Sequence, residues 1–416
     1  MNERTILHCD LNNFFASVEC VLDPSLKGKY VAVCGNQKHR HGIVLAKNTL
    51  AKAAGVTTGE TIVEARKKCP ALVVVSPHYE EYVNYAKKVQ KIYKEYTDKV
   101  ESFGLDECWL DVTNSANIFG DGKKIADEIR QRVKKDTGMT ISVGVSFNKI
   151  FAKLGSDLKK PDATTEITRQ NFKEIVWKLP VDAMLMIGKR TRTKLAKFNI
   201  FTLGELAISD EQLMKYVFGI NGVKIKQWAM GNDQSIVMQT ETELPIKSVG
   251  HSTTTIVDVS DYYTAKQVLW YLSDMVALRL REYGFKANGV QVSIRYNNLE
   301  FVTKQKTLPN STFDGGELAK TGYSLLKEIW GGPNDLALRL IGISAFNLSV
   351  VAQNTQEDFF DNKNEEKQET LNFTVDKIRK KYGFNSMLKG TLLNNSVMTD
   401  KAPIEDTEFL PFKKLT

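Results

Sequence analysis

The fold is decided by residues 102–113, SFGLDECWLDVT, which set two adjacent carboxylates between apolar side chains. Asp106 and Glu107 follow Leu105 and precede the apolar run at 108–110. An ionised group beside buried apolar surface is unfavourable unless a charged or hydrogen-bonding partner compensates it. A lysine, an arginine or a divalent cation can be that partner, so the stretch predicts either an ion pair or a metal site.

Strand and helix patterns alternate around these two acids. A short β-type run, TILHCDL, carries a third acid, Asp10, and a helical pattern follows it. The order strand, helix, strand, strand, helix, strand predicts a ferredoxin-like sheet with helices on one face, and hence an α+β fold class. The patterns occupy residues 5–11, 12–22, 79–96, 123–138 and 139–146, with the strand pair around residue 106 in the middle.

Composition restricts the class of protein. At 416 residues the chain is too long for one hydrophobic core. No apolar run approaches the roughly 18 residues of a membrane span, and the N-terminus lacks the apolar core of a signal peptide, so we expect a cytoplasmic, non-membrane protein. Five scattered cysteines indicate reduced thiols rather than disulfides or zinc. The net charge of +8 permits a polyanionic partner.

The predicted secondary-structure pattern changes twice in the remainder of the chain. Residues 168–238 contain short helices with glycine in the connecting turns, and residues 248–350 repeat a pattern of four strands and two helices. Residues 356–369 are rich in acids, which is linker composition. One more helix is predicted at about 371–382, before a loosely held tail.

The acids admit two interpretations from the residues alone. Three oxygen donors on neighbouring strands suit Mg²⁺, and two such ions can promote in-line displacement at phosphorus. Neighbouring residues of a regular strand face opposite sides, so a shared ion requires a turn, which Gly104 permits. Acids at strand ends that are solvated or paired with lysine are nevertheless the more common case.

Four groups of motifs resemble the Y-family (translesion) DNA polymerases, in particular the bacterial UmuC-like and polymerase IV-like proteins. The motifs appear in the family's order, and the match runs from about residue 6 to residue 350. They are ILHCDLNNFFASVE (6–19), LDECWLDVT (105–113), SVGVSFNKIFAKLGSDLKKPD (142–162) and the two glycine-turn segments between residues 184 and 231.

The resemblance implies a multidomain right-hand polymerase. Its parts are a ferredoxin-like palm, small fingers, a helix–hairpin–helix thumb and an α+β little finger. On this sequence they fall at 1–24 and 78–167 (palm), 25–77 (fingers), 168–238 (thumb), 239–247 (linker), 248–352 (little finger) and 353–416 (flexible tail).

The resemblance also implies the catalytic residues. Asp10, Asp106 and Glu107 match the carboxylates that hold two Mg²⁺ ions, and the main-chain carbonyl of Leu11 matches a further ligand. Phe15 matches the steric gate that excludes ribonucleotides. In any other helix Phe15 and its neighbour Phe14 would be taken as core residues, and Phe14 is expected to pack beneath the nucleotide.

The nucleotide contacts depart from the family pattern. Thr49 and Lys52 stand where the family commonly carries a tyrosine and an arginine, and Asn13 replaces a common aromatic. Lys52 offers a point charge but no two-pronged contact. The nucleotide-binding set is therefore Asn13, Phe14, Phe15, Thr49, Lys52 and Lys160, the last matching a palm lysine that meets the β- and γ-phosphates.

Backbone amides of a glycine hairpin, together with a helix N-terminus, can bind DNA phosphates without regard to sequence. The thumb segment MIGKRTRTKLAK has Met186 where the hairpin usually has its first glycine. The predicted DNA-binding residues are Gly188, Lys189, Arg190, Arg192 and Lys194 in the thumb and Arg295, Lys304 and Lys306 in the little finger.

The peptide QEDFF at 356–360 resembles the segment by which bacterial polymerases bind the sliding clamp. Phe359 and Phe360 would enter an apolar pocket while Gln356 hydrogen-bonds beside it. The alternative is that the two rings pack back on the protein.

We therefore predict a monomeric, DNA-directed DNA polymerase for translesion synthesis. It would add deoxynucleotides to a primer 3′-hydroxyl on primer–template DNA, with low fidelity and no proofreading, since we find no second cluster of acids. A nucleotide cyclase with a similar palm and a non-catalytic accessory protein that binds DNA and the clamp are the two alternatives.

Overall fold

The computed structural model describes residues 3–35, 42–240, 242, 245–351 and 363–390, with the backbone alone for 363–366. These residues form two compact units, one reaching to residue 242 and the other starting at residue 245. Among them, no helix is both long enough and apolar enough to cross a membrane.

The first unit alternates strands and helices and ends in a run of short helices. Its elements are β1 (Ile6–Leu11), α1 (Phe14–Leu22), β2 (Val31–Cys34), β3 (Val44–Lys47), α2 (Thr49–Ala53), α3 (Ile62–Lys68), β4 (Val73–Val75), α4 (Tyr79–Lys94), β5 (Val100–Ser102), β6 (Glu107–Asp111), α5 (Ala116–Phe119), α6 (Gly122–Thr137), β7 (Ile141–Ser146), α7 (Lys149–Leu158), β8 (Thr164–Ile167), α8 (Phe172–Val176), α9 (Lys189–Ala196), α10 (Leu203–Ile208), α11 (Glu211–Phe218) and α12 (Ile220–Ala229).

The sheet that carries the acids has the order β5–β6–β1–β7–β8. β1 is central and antiparallel to both β6 and β7. Alternate residues of β1 face opposite sides, and Leu7 and Cys9 belong to the core beneath α4 and α6. His8 and Asp10 contact α7 on the other face. The prediction of helices on one face is therefore wrong, because both faces of β1 are covered.

Two glycines let α7 lie close against the sheet. Gly144 is paired with His8 across β7 and β1, and a Cβ at Gly144 would overlap the backbone of Ala152 and Ser156. A Cβ on Gly155 would stand 3.1 Å from the Gly144 Cα. Side chains of α7 therefore reach the residues of β1 directly.

Two smaller bodies complete the first unit. A sheet of order β3–β2–β4 packs its inner face on α2 and α3 through Val44, Ala51 and Ala65. The helices α8 to α12 pack around a core that they share with α7 and β8 and that includes Leu195, Leu203, Leu206, Met214 and Ile225.

The second unit is an antiparallel sheet of order β11–β10–β12–β9 covered by helices. Val290, Val292 and Ile294 are fully buried, so alternate residues of the strand that carries them face the core. The elements are β9 (Ser248–Val259), α13 (Tyr262–Glu282), β10 (Phe285–Tyr296), β11 (Phe301–Thr312), α14 (Gly315–Ile329), β12 (Leu338–Val350) and α15 (Lys363–Tyr382).

Helix α15 starts eight residues earlier than predicted and packs on this unit. Arg281 makes two hydrogen bonds to Asp376, at 2.5 and 2.8 Å, and both side chains are largely buried. Arg379 pairs with Asp274 at 3.3 Å. The predictions of a linker reaching residue 369 and of a loosely held tail after it are therefore wrong for residues 363–390, because long-range ion pairs hold them.

Candidate active site

Strand pairing brings the predicted carboxylates together. Asp10 is directly opposite Glu107 in the β1–β6 ladder, and the amide of Leu11 donates to the carbonyl of Asp106 at 3.0 Å. Gly104 has φ +94°, so the chain bends there and Asp106 precedes the regular strand. The turn that a shared ion requires is therefore present.

Burial and neighbouring charges perturb the pKa values of all three carboxylates. Burial, and then the charges of Glu107 and Asp10, raise the pKa of Asp106 to about 6. Burial also raises the pKa of Asp10, against the attraction of Lys160 and Lys153. Burial opposes ionisation of Glu107 as well, but His8 and Lys153 outweigh it and lower the Glu107 pKa to about 2.

Two lysines supply part of the compensating charge. Lys153 Nζ lies 2.9 Å from Glu107 Oε2 and 3.3 Å from Asp10 Oδ2. Lys160 Nζ lies 2.7 Å from Asp10 Oδ2 and 2.8 Å from Asp157 Oδ1. The carboxylates raise the pKa of both lysines although burial opposes this. Asp10 and Glu107 therefore have lysine partners, as the ion-pair interpretation of the sequence predicts.

The donor set still fits a hard divalent cation. Within the described residues, no group of three or more His, Cys, Asp or Glu is arranged as a ready-made metal site. However, Asp106 forms no ion pair with a described lysine or arginine, and burial, followed by the charges of Glu107 and Asp10, raises its pKa. The buried Glu107 Oε2 has no well-aligned hydrogen bond. Carboxylate oxygens whose charge is incompletely compensated are suitable ligands for Mg²⁺.

Phe15 is held as a rigid aromatic surface near the acids. Its ring stacks on Tyr82, with centroids 4.2 Å apart and planes at 10°. The Tyr82 hydroxyl donates to the buried Glu19, which fixes the tyrosine ring. Phe14 is only 3% exposed and belongs to the core, in agreement with a packing role. Tyr82 could not be identified from the sequence, because the helical pattern of α4 marks it only as an apolar position.

Two of the departures from the family pattern contact each other. Asn13 Nδ2 donates to Thr49 Oγ1 at 3.0 Å. Asn13 has φ +52°, a left-handed conformation that asparagine tolerates. Lys52 is exposed on α2, one helical turn beyond Thr49. The hydrogen bond between Asn13 and Thr49 therefore joins the start of α1 to the start of α2, with no aromatic residue at either position.

In the thumb, the predicted DNA-binding residues fall into two groups. Gly188 is the N-cap of α9, and Lys189 and Arg190 are exposed and form no ion pair with any described residue. Arg192 pairs with Asp182 at 2.6 Å, and Lys194 donates to the carbonyl of residue 217 at 2.6 Å. Lys189 and Arg190 are thus the more available cations.

The backbone conformation of Met186 explains why glycine is usual at this position of the hairpin. Met186 has φ +71° and is 72% exposed. A non-glycine residue in this region carries roughly 1–2 kcal/mol of strain.

The little-finger residues do not lie on one face. Lys304 and Lys306 pair across the ladder with Val292 and Val290, whose side chains point to the helices. Arg295 has the opposite orientation, on the open face of the sheet. Lys304 also pairs with Glu328 on α14 at 2.7 Å. The expectation that all three cations follow one duplex is therefore not supported by the register.

The predicted clamp-binding residues Gln356, Phe359 and Phe360 lie outside the described residues. Their role stays a prediction from the sequence.

Comparison with known families agrees with this arrangement. Residues 9–157 match the model of the impB/mucB/samB family, and residues 246–359 match the model of that family's C-terminal domain. Together the two matches cover more than half of the chain. The chain therefore belongs to the impB/mucB/samB family, which comprises Y-family DNA polymerases.

Individual relatives give a more specific comparison than the family models. The chain is 45% identical to DNA polymerase IV of Acetivibrio thermocellus over 94% of this chain and 98% of that protein. It is 35% identical to DNA polymerase IV of Clostridium kluyveri, over 94% and 99% of the two chains. It is 34% identical to DNA polymerase IV 1 of Bacillus subtilis, over 99% and 98%.

A solved structure shares the fold. A Y-family DNA polymerase chimera has a TM-score of 0.74 and 23% identity to this chain, covering 83% of this chain and 99% of the chimera. The predicted α+β polymerase fold is thereby confirmed.

Proposed function

We propose that this protein is a template-directed DNA polymerase of the translesion type, which extends a primer 3′-hydroxyl with low fidelity and no proofreading. Its family membership implies DNA and deoxynucleoside triphosphates as substrates and a general dependence on divalent metal. The observation that carries the proposal is the register of Asp10 with Glu107, with Asp106 bent in beside them. We further propose that it works as a monomer in the cytoplasm, where its DNA substrate would be.

The acids would hold two Mg²⁺ ions. Asp10, Asp106 and Glu107 are the side-chain ligands in this proposal, and the main-chain carbonyl of Leu11 is a further donor. When bound, such ions activate the attacking oxygen and stabilise the leaving oxygen at phosphorus. Asp106 forms no ion pair with any described residue, so its carboxylate would be available to the cation.

The lysines exchange partners as the substrate enters. Lys160 is paired with Asp10 and Asp157 at the edge of the cluster, and its side chain is about a quarter exposed, at 28%. A triphosphate is a stronger acceptor than a carboxylate because it carries more charge. Lys160 therefore turns to the β- and γ-phosphates, while Lys52 meets the triphosphate from the side of α2.

Sugar selection would rest on Phe15. Because Tyr82 and Glu19 hold the ring in place, Phe15 cannot swing away from a 2′-hydroxyl at low cost. Asn13 and Thr49 would bind the nucleotide from the opposite side as one hydrogen-bonded pair.

Contacts to DNA would be made mainly to phosphates. Gly188, Lys189 and Arg190 present an amide-rich helix start with two unpaired cations. In the second unit Arg295 would approach the duplex from the open face of the sheet. The segment containing Gln356, Phe359 and Phe360 would bind the sliding clamp.

Primer extension with the purified protein, Mg²⁺ and deoxynucleotides tests the proposal, on undamaged and on abasic-site templates. Asp106→Asn is expected to lose at least about 100-fold in rate, since metal stabilisation of the transition state is worth several kcal/mol. Asp111→Asn is the matched control, because Asp111 is a carboxylate at the far end of β6 that caps Thr113 and pairs with Lys99. No template-dependent product from the wild type would refute the polymerase.

A parallel incubation with ATP and no DNA distinguishes the polymerase from the nucleotide cyclase alternative. The polymerase proposal expects no cyclic nucleotide from the wild type under these conditions.

A further inference from the structure

We propose that Arg130 is a positioning residue for the incoming nucleotide, and that it acts through Asp162 on Lys160. Arg130 lies on α6, and the other two residues lie in the turn of residues 159–163 between α7 and β8. The inference rests on the proposed function, because the contact of Lys160 with the β- and γ-phosphates belongs to that proposal. Arg130 itself would not touch the nucleotide.

Asp162 is the residue by which this turn is held. Its main-chain amide donates to Asn12 Oδ1 at 2.9 Å. Its carbonyl accepts a hydrogen bond from Arg130, whose guanidinium also donates to Asp162 Oδ1 at 2.9 Å. The second carboxylate oxygen lies 3.0 Å from Lys134 Nζ. Every polar group of Asp162 therefore has a partner, and all of these partners lie outside the turn.

Arg130 is the strongest of these partners. Its side chain is 21% exposed, whereas that of Lys134 is 61% exposed, so the Lys134 ion pair contributes little. The Arg130 guanidinium also donates to Asp127 Oδ1 at 2.9 Å on α6 and to Thr164 Oγ1 at 3.3 Å at the start of β8. A planar group with several donors can join a helix, a turn and a strand at once, which the single ammonium of a lysine cannot do.

Asn12 connects the turn to the strand that carries the first acid. Asn12 is only 5% exposed and directly follows β1. Its Oδ1 accepts from Thr140 at 3.0 Å as well as from Asp162, and its Nδ2 donates to Ser142 Oγ at 2.9 Å. The turn is thus held from two sides, by Asn12 near the acids and by Arg130 from α6.

The position of the turn determines where Lys160 can reach. Lys160 is two residues from Asp162, so their Cα atoms are at most about 7 Å apart. Its Nζ lies 2.7 Å from Asp10 Oδ2 and 2.8 Å from Asp157 Oδ1. A lysine side chain is a flexible stem with a point charge, so the main chain at its base must be fixed if the charge is to be placed precisely.

Loss of Arg130 would therefore weaken nucleotide binding more than catalysis at saturation. The turn would keep Asn12 and the exposed Lys134, and Lys160 would become ordered only when the triphosphate binds, which costs conformational entropy. The candidate metal ligands lie on or beside β1 and β6. Within the described residues, Arg130 forms no hydrogen bond or ion pair with them.

Single-nucleotide insertion by the full-length protein on primer–template DNA, with Mg²⁺, tests the inference. Arg130→Met keeps the apolar stem and removes the guanidinium. Because a misplacement of about 1 Å can cost up to about 100-fold, we expect KM for the deoxynucleotide to rise about 10-fold, while kcat falls by no more than about 2-fold. Arg132→Met is the matched control and should leave KM unchanged, because Arg132 lies on the same helix and pairs with Glu95 and Asp136.

A double-mutant cycle with Lys160→Met separates positioning from a general loss of structure. If Arg130 acts through Lys160, Arg130→Met should raise KM by less than about 2-fold in the Lys160→Met background. A merely structural role would give the same factor in both backgrounds. Asp162→Asn keeps the main-chain contacts and weakens the charge-assisted ones, so its KM should rise by a smaller factor that also depends on Lys160.

Binding of a fluorescent deoxynucleoside triphosphate measures the same effect without turnover. The protein is bound to primer–template DNA whose primer ends in a dideoxynucleotide, so that no bond can form. Arg130→Met should weaken this binding by the factor found for KM, and Arg132→Met should leave it unchanged.

Two results would overturn the inference. One is an unchanged KM in Arg130→Met or, if that variant does not fold, in Asp162→Asn. The other is an equal increase in KM with and without Lys160. Either result, together with template-dependent extension by the wild type, refutes the inference alone, whereas absence of extension by the wild type refutes the polymerase proposal itself.

Discussion

Replacing Lys153 by methionine should have opposite effects on the metal-free protein and on metal binding. The ammonium lies 2.9 Å from Glu107 Oε2 and 3.3 Å from Asp10 Oδ2, and its side chain is 13% exposed. Methionine retains most of the apolar stem and removes the charge. In the absence of metal, Asp10 then keeps Lys160 alone, and Glu107 keeps only His8.

The magnitude follows from the burial of the group. Removing one partner of a buried ion pair costs about 3–5 kcal/mol, and we expect about 2–4 kcal/mol here because the site is partly open to water. A bound cation compensates the same acids, so saturating Mg²⁺ should restore most of the loss. The cation no longer has to displace an ammonium, and Mn²⁺ affinity should therefore increase by about 10-fold or more, or at least about 1.4 kcal/mol.

Urea unfolding with EDTA and with excess Mg²⁺ measures the first effect, and Mn²⁺ titration measures the second. Lys159→Met is the matched control, because Lys159 is an exposed neighbour in the same segment. Equal destabilisation with and without Mg²⁺, or weaker Mn²⁺ binding, would refute the reasoning that Lys153 stands in for the metal.

Four further outcomes are expected. The pKa of Asp106 is raised to about 6, above its unfolded value of about 3.9, so its contribution to metal-free stability is full below pH 4 and is lost as the pH rises through 6. Asp106→Asn should therefore gain stability relative to the wild type across that range in EDTA, and parallel urea midpoints at pH 4 and pH 7 would contradict this. Phe15→Ala should incorporate ribonucleotides at least about 10-fold more readily, and unchanged sugar discrimination in single-nucleotide insertion would remove the gate role. Asp376→Asn should destabilise the second unit by about 2–4 kcal/mol, since it leaves a buried arginine without its charge partner, and calorimetry of the full chain would show a lowered transition. Replacing Phe359 and Phe360 together by alanine should weaken capture of the sliding clamp at least about 10-fold, and unaltered binding in surface plasmon resonance would refute the clamp peptide.

The sequence predicts those parts of the site that strand patterns and motif order define. Asp10 and Glu107 end and begin recognisable strands, so their meeting follows from adjacency in the sheet. Gly104 likewise signals the bend before Asp106, and its φ of +94° agrees. The local sequence pattern is therefore sufficient to predict a contact when a single pair of strands brings the two residues together.

His8, Ser156 and Tyr82 could not be predicted in this way. A histidine inside an apolar strand has the pattern of a core residue, and its contact with Ser156 depends on how closely α7 approaches Gly144. Tyr82 occupies an apolar position of α4, and only the tertiary stack on Phe15 distinguishes it from the other core tyrosines.

Two of the differences between prediction and structure have a similar origin. Acid-rich composition indicates a linker, but Asp376 and its neighbours meet arginines that lie far away in the sequence. The faces of Arg295 and Lys304 depend on the register of β10 against β11, which a turn of unknown geometry does not fix in advance.

The charges around the acids explain how such a site can fold before its metal arrives. Three carboxylates converge, and two lysines pair with Asp10 and Glu107, whereas Asp106 forms no ion pair with a described residue. The fold therefore tolerates the metal-free state, while repulsion at Asp106 favours a cation. In the proposed function, an incoming triphosphate would attract Lys160 away from Asp10, which would expose that carboxylate as the nucleotide brings its own divalent ion. Nucleotide and metal should consequently bind with positive coupling, and the coupling should decrease in Lys160→Met, whose Asp10 keeps Lys153 but loses the nearer of its two lysines.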